Sequence, residues 1–412
     1  MSEASIEYGL LGEKLGHSFS PQIHAALAGY SYRLLPTPRD QVEDLFRRRE
    51  FRGLNVTIPY KQTVIPLCDE VDPRAAAIGA VNTVVNRDGR LIGYNTDIDG
   101  LICLAKRAGV DMAGKKVVVL GSGGTSRTAR AAARELGAAQ TVVVSRSGED
   151  NYGNLDRHAD AGVLINTTPV GMYPNCGVSA VSLEAFPDLT GVLDVVYNPL
   201  RTALIMQAEE RGIPCSCGLP MLVAQAKRAA ELFTGEAIED SRTEAVLAGL
   251  FQQMQNIVLI GMPGCGKSTI GRALAVRLGK QFLDLDQQVT ERAGRPIPDI
   301  FAQEGEDAFR ALESEAVREA GARTGYVLST GGGVVTRREN YAPLHQNGVI
   351  VHLTRSLEKL PKAGRPVSQS VELGELWRRR EPMYRAFADV TVNNDGPMNE
   401  TVALIEKDVR NL

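Results

Sequence analysis

Short apolar runs of four to six residues recur along this chain. Most are followed by a longer segment whose apolar positions repeat every three or four residues. The first pattern predicts buried parallel strands and the second predicts helices packed on them, so the chain reads as α/β. Residues 6–11 give the first strand signal. Ser20-Pro21 then opens a helix, with a capping hydroxyl and proline at the first helical position. A second strand is expected over residues 51–58, and a strand pair over 79–85 and 91–94 around the turn Asp88-Gly89. The run Lys116-Val117-Val118-Val119-Leu120 opens a new sheet, followed by a glycine turn and an alanine-rich helix over residues 128–136. That sheet continues at residues 141–145, 162–166 and 191–196. Residues 222–233 and 240–254 read as helices. The run Ile257-Val258-Leu259-Ile260 starts a further α/β unit without any Pro-, Gly- or Ser-rich linker before it.

At 412 residues the chain is long enough for two or three domains, each with its own core. A hydrophobic fraction of 43% beside a charged fraction of 23% is that of a soluble globular protein. The formal net charge of −3 argues against a nucleic-acid partner. The apolar runs are strand-sized, so no membrane span is expected. The first residues lack a basic and apolar leader, and the six cysteines are scattered, with Cys215 and Cys217 too close for a CxxC site. These features lead us to expect reduced thiols and a cytoplasmic location. The oligomeric state, monomer or homodimer, is left open.

Two glycine loops change the picture, because each follows a strand and opens a helix. A helix N-terminus offers bare N–H groups and the positive dipole end to phosphate. The first loop runs Gly121, Ser122, Gly123, Gly124, Thr125, Ser126, Arg127. The second is Gly261-Met262-Pro263-Gly264-Cys265-Gly266-Lys267-Ser268, which fits the Walker A pattern at every defined position. A Rossmann unit selecting NAD places an acidic residue at the end of its second strand. Here that position is Arg146, flanked by Ser145 and Ser147, and an arginine fork suits a 2′-phosphate. Arg127 can supply a second charge, so the expected cofactor is NADP(H). Cys265 is a candidate exposed thiol with a lowered pKa, or an inert small residue.

Upstream lie Gly16-His17-Ser18-Phe19-Ser20-Pro21, Asn55-Val56-Thr57-Ile58-Pro59-Tyr60-Lys61, Gly79-Ala80-Val81-Asn82-Thr83 and Gly93-Tyr94-Asn95-Thr96-Asp97. With Asn166-Thr167-Thr168-Pro169 and the stretch from Gly218 to Gln225, they resemble shikimate dehydrogenase over about residues 6–254. The resemblance implies that Ser18 and Ser20 hold a substrate carboxylate, that Thr57, Asn82 and Gln225 hold ring hydroxyls, and that Tyr197 joins them. It implies that Lys61 and Asp97 are the polar pair at the reacting carbonyl. Hydride reduction of a ketone needs a proton delivered to the developing alkoxide, which a lysine beside a carboxylate can supply. Thr167, Gly218 and Met221 would complete the cofactor site. His17 and His24 read as packing or capping residues. Between Ser147 and Val163 the chain is shorter than that family usually has, so the cofactor domain is expected to be trimmed.

In the last third, Lys267 is expected at the β- and γ-phosphates, Ser268 on Mg²⁺, and Gly264, Cys265, Gly266 and Thr269 around the nucleotide. Leu283-Asp284-Leu285-Asp286, Phe309-Arg310, Gly331-Gly332-Gly333, Gly364-Arg365-Pro366 and Arg380-Glu381-Pro382-Met383-Tyr384 together resemble shikimate kinase over about residues 256–409. Two aspartates one residue apart at a strand end point to one side of a sheet. Asp286 is expected to orient or deprotonate the acceptor hydroxyl and Asp284 to hold a magnesium water. Arg310 and Arg380 would take the acceptor carboxylate, the glycines 331–333 would let backbone approach it, and Arg365 matches a lid arginine. Arg378 and Arg379 read as solvated. The lid itself, residues 355–371, is short.

Taken together, the two resemblances imply consecutive reactions. Reduction of 3-dehydroshikimate with NADPH would give shikimate, which Mg·ATP would then phosphorylate at the 3-hydroxyl. The expected domains are a substrate domain over 1–100 plus 219–254, a Rossmann domain over 101–218 and a P-loop domain over 255–412. Two rivals stay open: a quinate/shikimate dehydrogenase with an attached kinase, and a non-catalytic metabolite sensor. Arg146 argues against NAD, and the presence of Lys61, Asp97, Lys267 and Asp286 argues against a sensor.

Overall fold

The computed structural model describes residues 6–16, 18–360 and 373–411. The chain divides into two compact units. One comprises Met1–Val170, Ser179–Tyr197 and Gln207–Leu250, the other Gly171–Val178, Asn198–Met206 and Phe251–Leu412.

In the first unit, six strands form a mixed sheet: β1 (Ile6–Gly12), β2 (Tyr32–Pro36), β3 (Phe51–Val56), β4 (Glu70–Val71), β5 (Thr83–Arg87) and β6 (Arg90–Tyr94). Their order is β2-β1-β3-β5-β6-β4. Strands β1 to β3 pair in parallel, while β5 runs antiparallel to β3 and to β6, as the Asp88-Gly89 turn demands. Five parallel strands make a second sheet: β7 (Lys116–Leu120), β8 (Gln140–Val144), β9 (Val163–Asn166), β10 (Gly191–Asp194) and β11 (Cys215–Ser216), in the order β11-β10-β9-β7-β8. Val117 to Leu120 are wholly buried, which is why β7 reads as an unbroken apolar run. Between β8 and β9 there is only the short 3₁₀ turn Leu155–His158, so β8 is an edge strand. The trimming expected from the sequence is therefore visible: among the described residues no strand lies beyond β8.

Helices α1 (Ser20–Ala28), α2 (Asp97–Arg107), α3 (Gly124–Glu135) and α4 (Leu219–Thr234) carry the site residues of this unit. Helices α2 and α4 pack closely because Gly100 has no side chain: a Cβ there would lie 2.7 Å from the Met221 carbonyl oxygen. Helix α4 also reaches the first sheet, where Phe233 fills the space above Gly53 and stacks on Tyr8 with ring centroids 5.0 Å apart.

The second unit holds β12 (Asn256–Ile260), β13 (Gln281–Asp284), β14 (Tyr326–Ser329), β15 (Gly348–Thr354) and β16 (Val390–Asn393), all parallel, in the order β13-β14-β12-β15-β16. Helices α5 (Lys267–Leu278), α6 (Leu285–Ala293), α7 (Ile297–Ala322) and α8 (Leu373–Phe387) surround it. Two stretches from the segment expected to be purely Rossmann, residues 171–178 and 198–206, belong to this unit. The reason is visible in their hydrogen bonds: Leu200 N donates to Asn347 Oδ1 at 2.9 Å and Arg201 N to the Gln346 carbonyl at 2.8 Å. The division between the halves also falls between Leu250 and Phe251, inside the helix Asp240–Met254, rather than after it.

Three local expectations are corrected. Strand β2 was not anticipated, since five residues with Arg33 and Pro36 among them carry no clear alternation. Ser20 does not cap α1; it is the first helical residue, and Ser18 Oγ accepts its N–H at 3.2 Å. Asp284 and Asp286 do not alternate along a strand. Asp284 ends β13 and caps α6, accepting the Asp286 N–H at 3.1 Å, and Asp286 lies in the first helical turn.

Candidate active sites

In the first unit, residues from β1 to α4 close on a cavity of about 290 Å³. Ser18, Ser20, Thr57, Lys61, Asn82, Asp97, Tyr197 and Gln225 all line it, as do Thr125, Gly218 and Met221 from the cofactor set. Lys61 Nζ lies 2.6 Å from Asp97 Oδ2, with side chains 25% and 13% exposed. That leaves the ammonium reachable by water and substrate while the carboxylate is mostly covered. Asp97 is the first residue of α2, where the helix dipole favours its negative charge. Its other oxygen accepts from Asn82 Nδ2 at 2.9 Å.

Asn82 is held in turn. Its Oδ1 accepts the Thr96 N–H at 2.7 Å and the Thr83 hydroxyl at 3.1 Å. Thr83 accepts from Asn55 Nδ2 at 3.0 Å, and the Asn55 Oδ1 accepts from Tyr32 at 2.7 Å. A polar chain therefore runs from Tyr32 through Asn55, Thr83 and Asn82 to Asp97 and Lys61. Buried amides held in such a network are fixed in one side-chain geometry. Sequence reasoning missed Tyr32, Thr83 and Thr96 in this role, although the last two stand inside quoted motifs. His24 packs as expected: it is 1% exposed, stacks on Tyr32 at 4.1 Å and bonds Tyr30 through Nδ1 at 2.6 Å. Burial pushes its pKa down to about 3. His17 lies outside the described residues.

The cofactor loop follows β7. Gly121 adopts φ +99°, and a Cβ there would lie 2.8 Å from Thr168 Cγ2. Thr167 braces the loop from below, donating to the Leu120 carbonyl at 2.6 Å. Gly123 and Gly124 open α3, and a Cβ built on either meets nothing within 4 Å. The helix end is thus open to a phosphate. Ser122, Arg127, Arg146 and Ser147 are exposed, while Ser126 and Ser145 are buried. Neither arginine has an ion-pair partner among the described residues, so two cations stand ready beside the β7 and β8 ends. This donor set fits a dinucleotide with an extra phosphate.

In the second unit a cavity of about 580 Å³ is lined by Gly264, Gly266, Lys267, Ser268, Thr269, Asp286, Arg310, Gly331, Gly332, Gly333 and Arg380. Lys267 Nζ donates to the carbonyls of Gly261 at 2.8 Å and Met262 at 3.1 Å. Ser268 Oγ and Asp284 Oδ2 meet at 2.6 Å, two hard oxygen donors of the kind Mg²⁺ takes alongside phosphate and water. Cys265 is wholly buried, so the exposed-thiol expectation fails: its side chain faces the core, while its carbonyl accepts from Asn394 Nδ2 at 2.8 Å.

The part of this cavity lined by Arg310, Glu313 and Arg380 is crowded with fixed charge. Arg310 is 5% exposed and pairs with Glu313 at 2.6 Å and Glu306 at 3.0 Å. Burial alone would lower its pKa; these carboxylates more than offset that and hold it charged. A side chain on these glycines would displace the charged groups around them. A Cβ on Gly331 would lie 2.5 Å from Glu313 Oε1 and 2.7 Å from Asp286 Oδ1, and one on Gly333 would lie 2.1 Å from Arg310 Nη2. Arg380 is 2% exposed and donates to the Gly332 carbonyl at 3.2 Å, while its neighbours Arg378 and Arg379 are exposed. Glu313 and Arg355 also line the cavity and had not been singled out. Arg365 lies outside the described residues. No helix among the described residues is long and apolar enough to cross a membrane.

Residues 263–409 match the shikimate kinase family, and residues 10–84 match the shikimate dehydrogenase substrate binding domain. A shikimate dehydrogenase (NADP(+)) of Clostridium perfringens (strain SM101 / Type A) is 38% identical over 260 residues, covering 58% of this chain and 96% of that protein. Among solved structures, a chorismate mutase/shikimate 5-dehydrogenase fusion protein from Clostridium acetobutylicum aligns with a TM-score of 0.57 at 34% identity, covering 60% of this chain and 97% of its own. Shikimate 5-dehydrogenase from Thermus thermophilus, in complex with NADP(H) and shikimate, aligns with a TM-score of 0.53 at 33% identity, covering 59% of this chain and 98% of its own.

Proposed function

The chain belongs to the shikimate dehydrogenase family and runs on into a shikimate kinase domain, and on that premise we propose how its residues divide two consecutive reactions. It is a bifunctional enzyme of the shikimate pathway. The first unit reduces 3-dehydroshikimate with NADPH, and the second phosphorylates the resulting shikimate with Mg·ATP. The observation that supports this division best is that two sets of residues, each scattered over more than a hundred positions, close on one cavity apiece.

In the first reaction NADPH, when bound, supplies the hydride. The loop from Ser122 to Thr125 would hold its diphosphate, and Arg127 and Arg146 its 2′-phosphate. Ser18 and Ser20 hold the substrate carboxylate, and Thr57, Asn82, Tyr197 and Gln225 its hydroxyls. Lys61 Nζ gives its proton to the substrate oxygen as that oxygen gains charge. Asp97, fixed by Asn82 and the start of α2, keeps the ammonium pointed at that oxygen. Being part-exposed, Lys61 regains its proton from water.

In the second reaction Ser268 and Asp284 would hold Mg²⁺, which would supply neutralisation of phosphate charge. Lys267 takes the β- and γ-phosphates. Arg310 and Arg380 fix the acceptor carboxylate, so that its 3-hydroxyl lies at Asp286, which accepts the hydroxyl proton. Arg365 would meet the transferring phosphoryl group. We place the enzyme in the cytoplasm, where both NADPH and ATP are supplied.

A one-pot assay tests the scheme. With 3-dehydroshikimate, NADPH, ATP and Mg²⁺, nicotinamide absorbance should fall and ADP should appear only when NADPH is present. ADP formation from added shikimate without any NADPH loss would remove the first assignment and keep the second.

A further inference from the structure

We infer that Arg355 is a further phosphate-binding residue of the kinase site, reaching the nucleotide's phosphate chain from the side of the Walker loop opposite the acceptor residues. The inference rests on the kinase reading given above.

Arg355 stands one residue beyond β15, which pairs in parallel with the Walker strand β12, His352 opposite Ile260. The two chains stay in contact past the sheet: a Cβ on Gly261 would lie 2.3 Å from the Leu353 carbonyl oxygen. Two residues later the Arg355 side chain lines the same cavity as Gly264, Lys267 and Ser268. Its Nε is shielded from solvent without a hydrogen bond, and no ion pair reaches its guanidinium among the described residues. Arg355 is only half-buried overall, but a guanidinium in a cavity whose Nε is shielded and unmatched favours an anion there, since leaving such a donor unmatched is costly.

The sheet order says which anion. Asp286 follows β13 and Gly331 to Gly333 follow β14, and both strands lie on one side of β12. Arg355 follows β15, on the other side. The acceptor carboxylate already has Arg310 and Arg380, so Arg355 is left facing the loop that cradles phosphate. Its position is fixed rather than loose. The next residue, Ser356, donates from both its N–H and its hydroxyl to Asp395, and the adjacent Asn394 is bonded to the Walker-loop carbonyl of Cys265. One turn after β16 thereby ties Arg355 and the Walker loop to a common frame. The planar fork of arginine suits two phosphate oxygens at once, which a lysine cannot match.

The test uses the full chain with Arg355→Ala and Arg355→Lys. Initial rates with Mg·ATP varied at saturating shikimate, and the reverse, separate the two substrates. The affinity of each variant for a non-hydrolysable ATP analogue is measured by calorimetry. For Arg355→Ala we expect kcat/KM for ATP to fall about 10-fold to 100-fold and analogue binding to weaken in parallel. KM for shikimate should stay within about twofold, and Arg355→Lys should recover only part of the loss. 3-Dehydroshikimate reduction by the same preparation reports intact folding of the first unit, and a thermal melt reports the second. ATP parameters within about threefold of the parent chain, or an equal loss toward both substrates, would overturn the assignment. Should the parent chain bind the analogue yet not phosphorylate shikimate, the kinase reading falls, while the binding comparison still decides Arg355.

Discussion

In the first unit one ammonium faces one carboxylate at 2.6 Å, at the end of a chain of neutral amides and hydroxyls. In the second, Lys267, Arg310, Arg355 and Arg380 gather around glycines whose missing side chains make room for substrate and charge. The difference follows from the chemistry each must perform. Hydride reduction creates charge at a single oxygen, so one proton donor with a fixed orientation suffices. Phosphoryl transfer carries charge spread over many oxygens, and positioning plus electrostatics do nearly all of the catalysis. The first cavity can tolerate partial exposure of its lysine; the second needs buried, pre-set cations.

Removing one lysine from each unit should separate the two activities most sharply. Lys61→Ala should cost reduction about 10²-fold to 10⁴-fold and leave phosphorylation within about twofold. Lys267→Ala should do the reverse, at about 10²-fold to 10³-fold. Coupled-assay rates for both activities on each variant check this, and parallel loss in either would defeat the idea of independent sites.

Adding one methyl group to a glycine in each cavity should separate rigid backbone from rigid charge. A Cβ on Gly218 would lie 2.1 Å from the Val195 carbonyl oxygen, whereas one on Gly333 meets the Arg310 guanidinium. Gly218→Ala should therefore lower stability, by about 1–3 kcal/mol, seen as a lower urea midpoint for loss of reduction. Gly333→Ala should leave the fold intact and raise KM for shikimate, with kcat/KM falling on the order of 10²-fold, because Arg310 is displaced.

Cofactor choice sharpens the picture of the first unit. Arg146→Ala should weaken NADPH about 10-fold to 100-fold and NADH by less than about threefold, measured as KM for each. Equal effects would free Arg146 from the 2′-phosphate.

The smallest effect is on pH. Burial lowers the pKa of His24 in the first unit to about 3, and of His345 and His352 in the second to about 4. Each is neutral when folded and takes a proton on unfolding below its ordinary value of about 6.5. Stability is therefore full above that value and falls as pH drops toward the folded values, by about 1.4 kcal/mol per pH unit per histidine. At pH 5.5 the urea midpoint of kinase activity should have dropped about twice as far as that of reduction. Equal shifts would mean that the two kinase-side histidines do not stay neutral.

How far the sequence reaches can be seen residue by residue. The apolar runs gave β7, β9, β10 and β12 because parallel strands are buried on both faces. Strand β2 escaped because an edge strand pairing only with β1 needs no such run. Lys61 and Asp97 were legible from motifs contiguous in sequence. Tyr32 and Thr83 were not read as supports, since Tyr32 acts through Asn55 two strands away, and Thr83 links Asn55 on the neighbouring strand to Asn82. Arg380 was set apart from Arg378 and Arg379 by its place in the motif Arg380-Glu381-Pro382-Met383-Tyr384, and it is the buried one of the three. The strand-alternation argument failed at Asp284 and Asp286, because the strand ends at the first and a helix begins before the second.

Local order along the chain carries the set of local chemistries: two glycine loops that open helices, a lysine–carboxylate pair and arginines of known spacing. Their loops depend on neighbouring residues, so the sequence carries them directly. Folding alone sets which side chains are buried, which are paired and which are left without a partner. Cys265 is turned inward, Arg310 is paired with Glu313, Arg355 is left facing the Walker loop, and residues 198–206 join the second unit. Burial and pairing are set by residues far apart in the chain, and no local pattern encodes them.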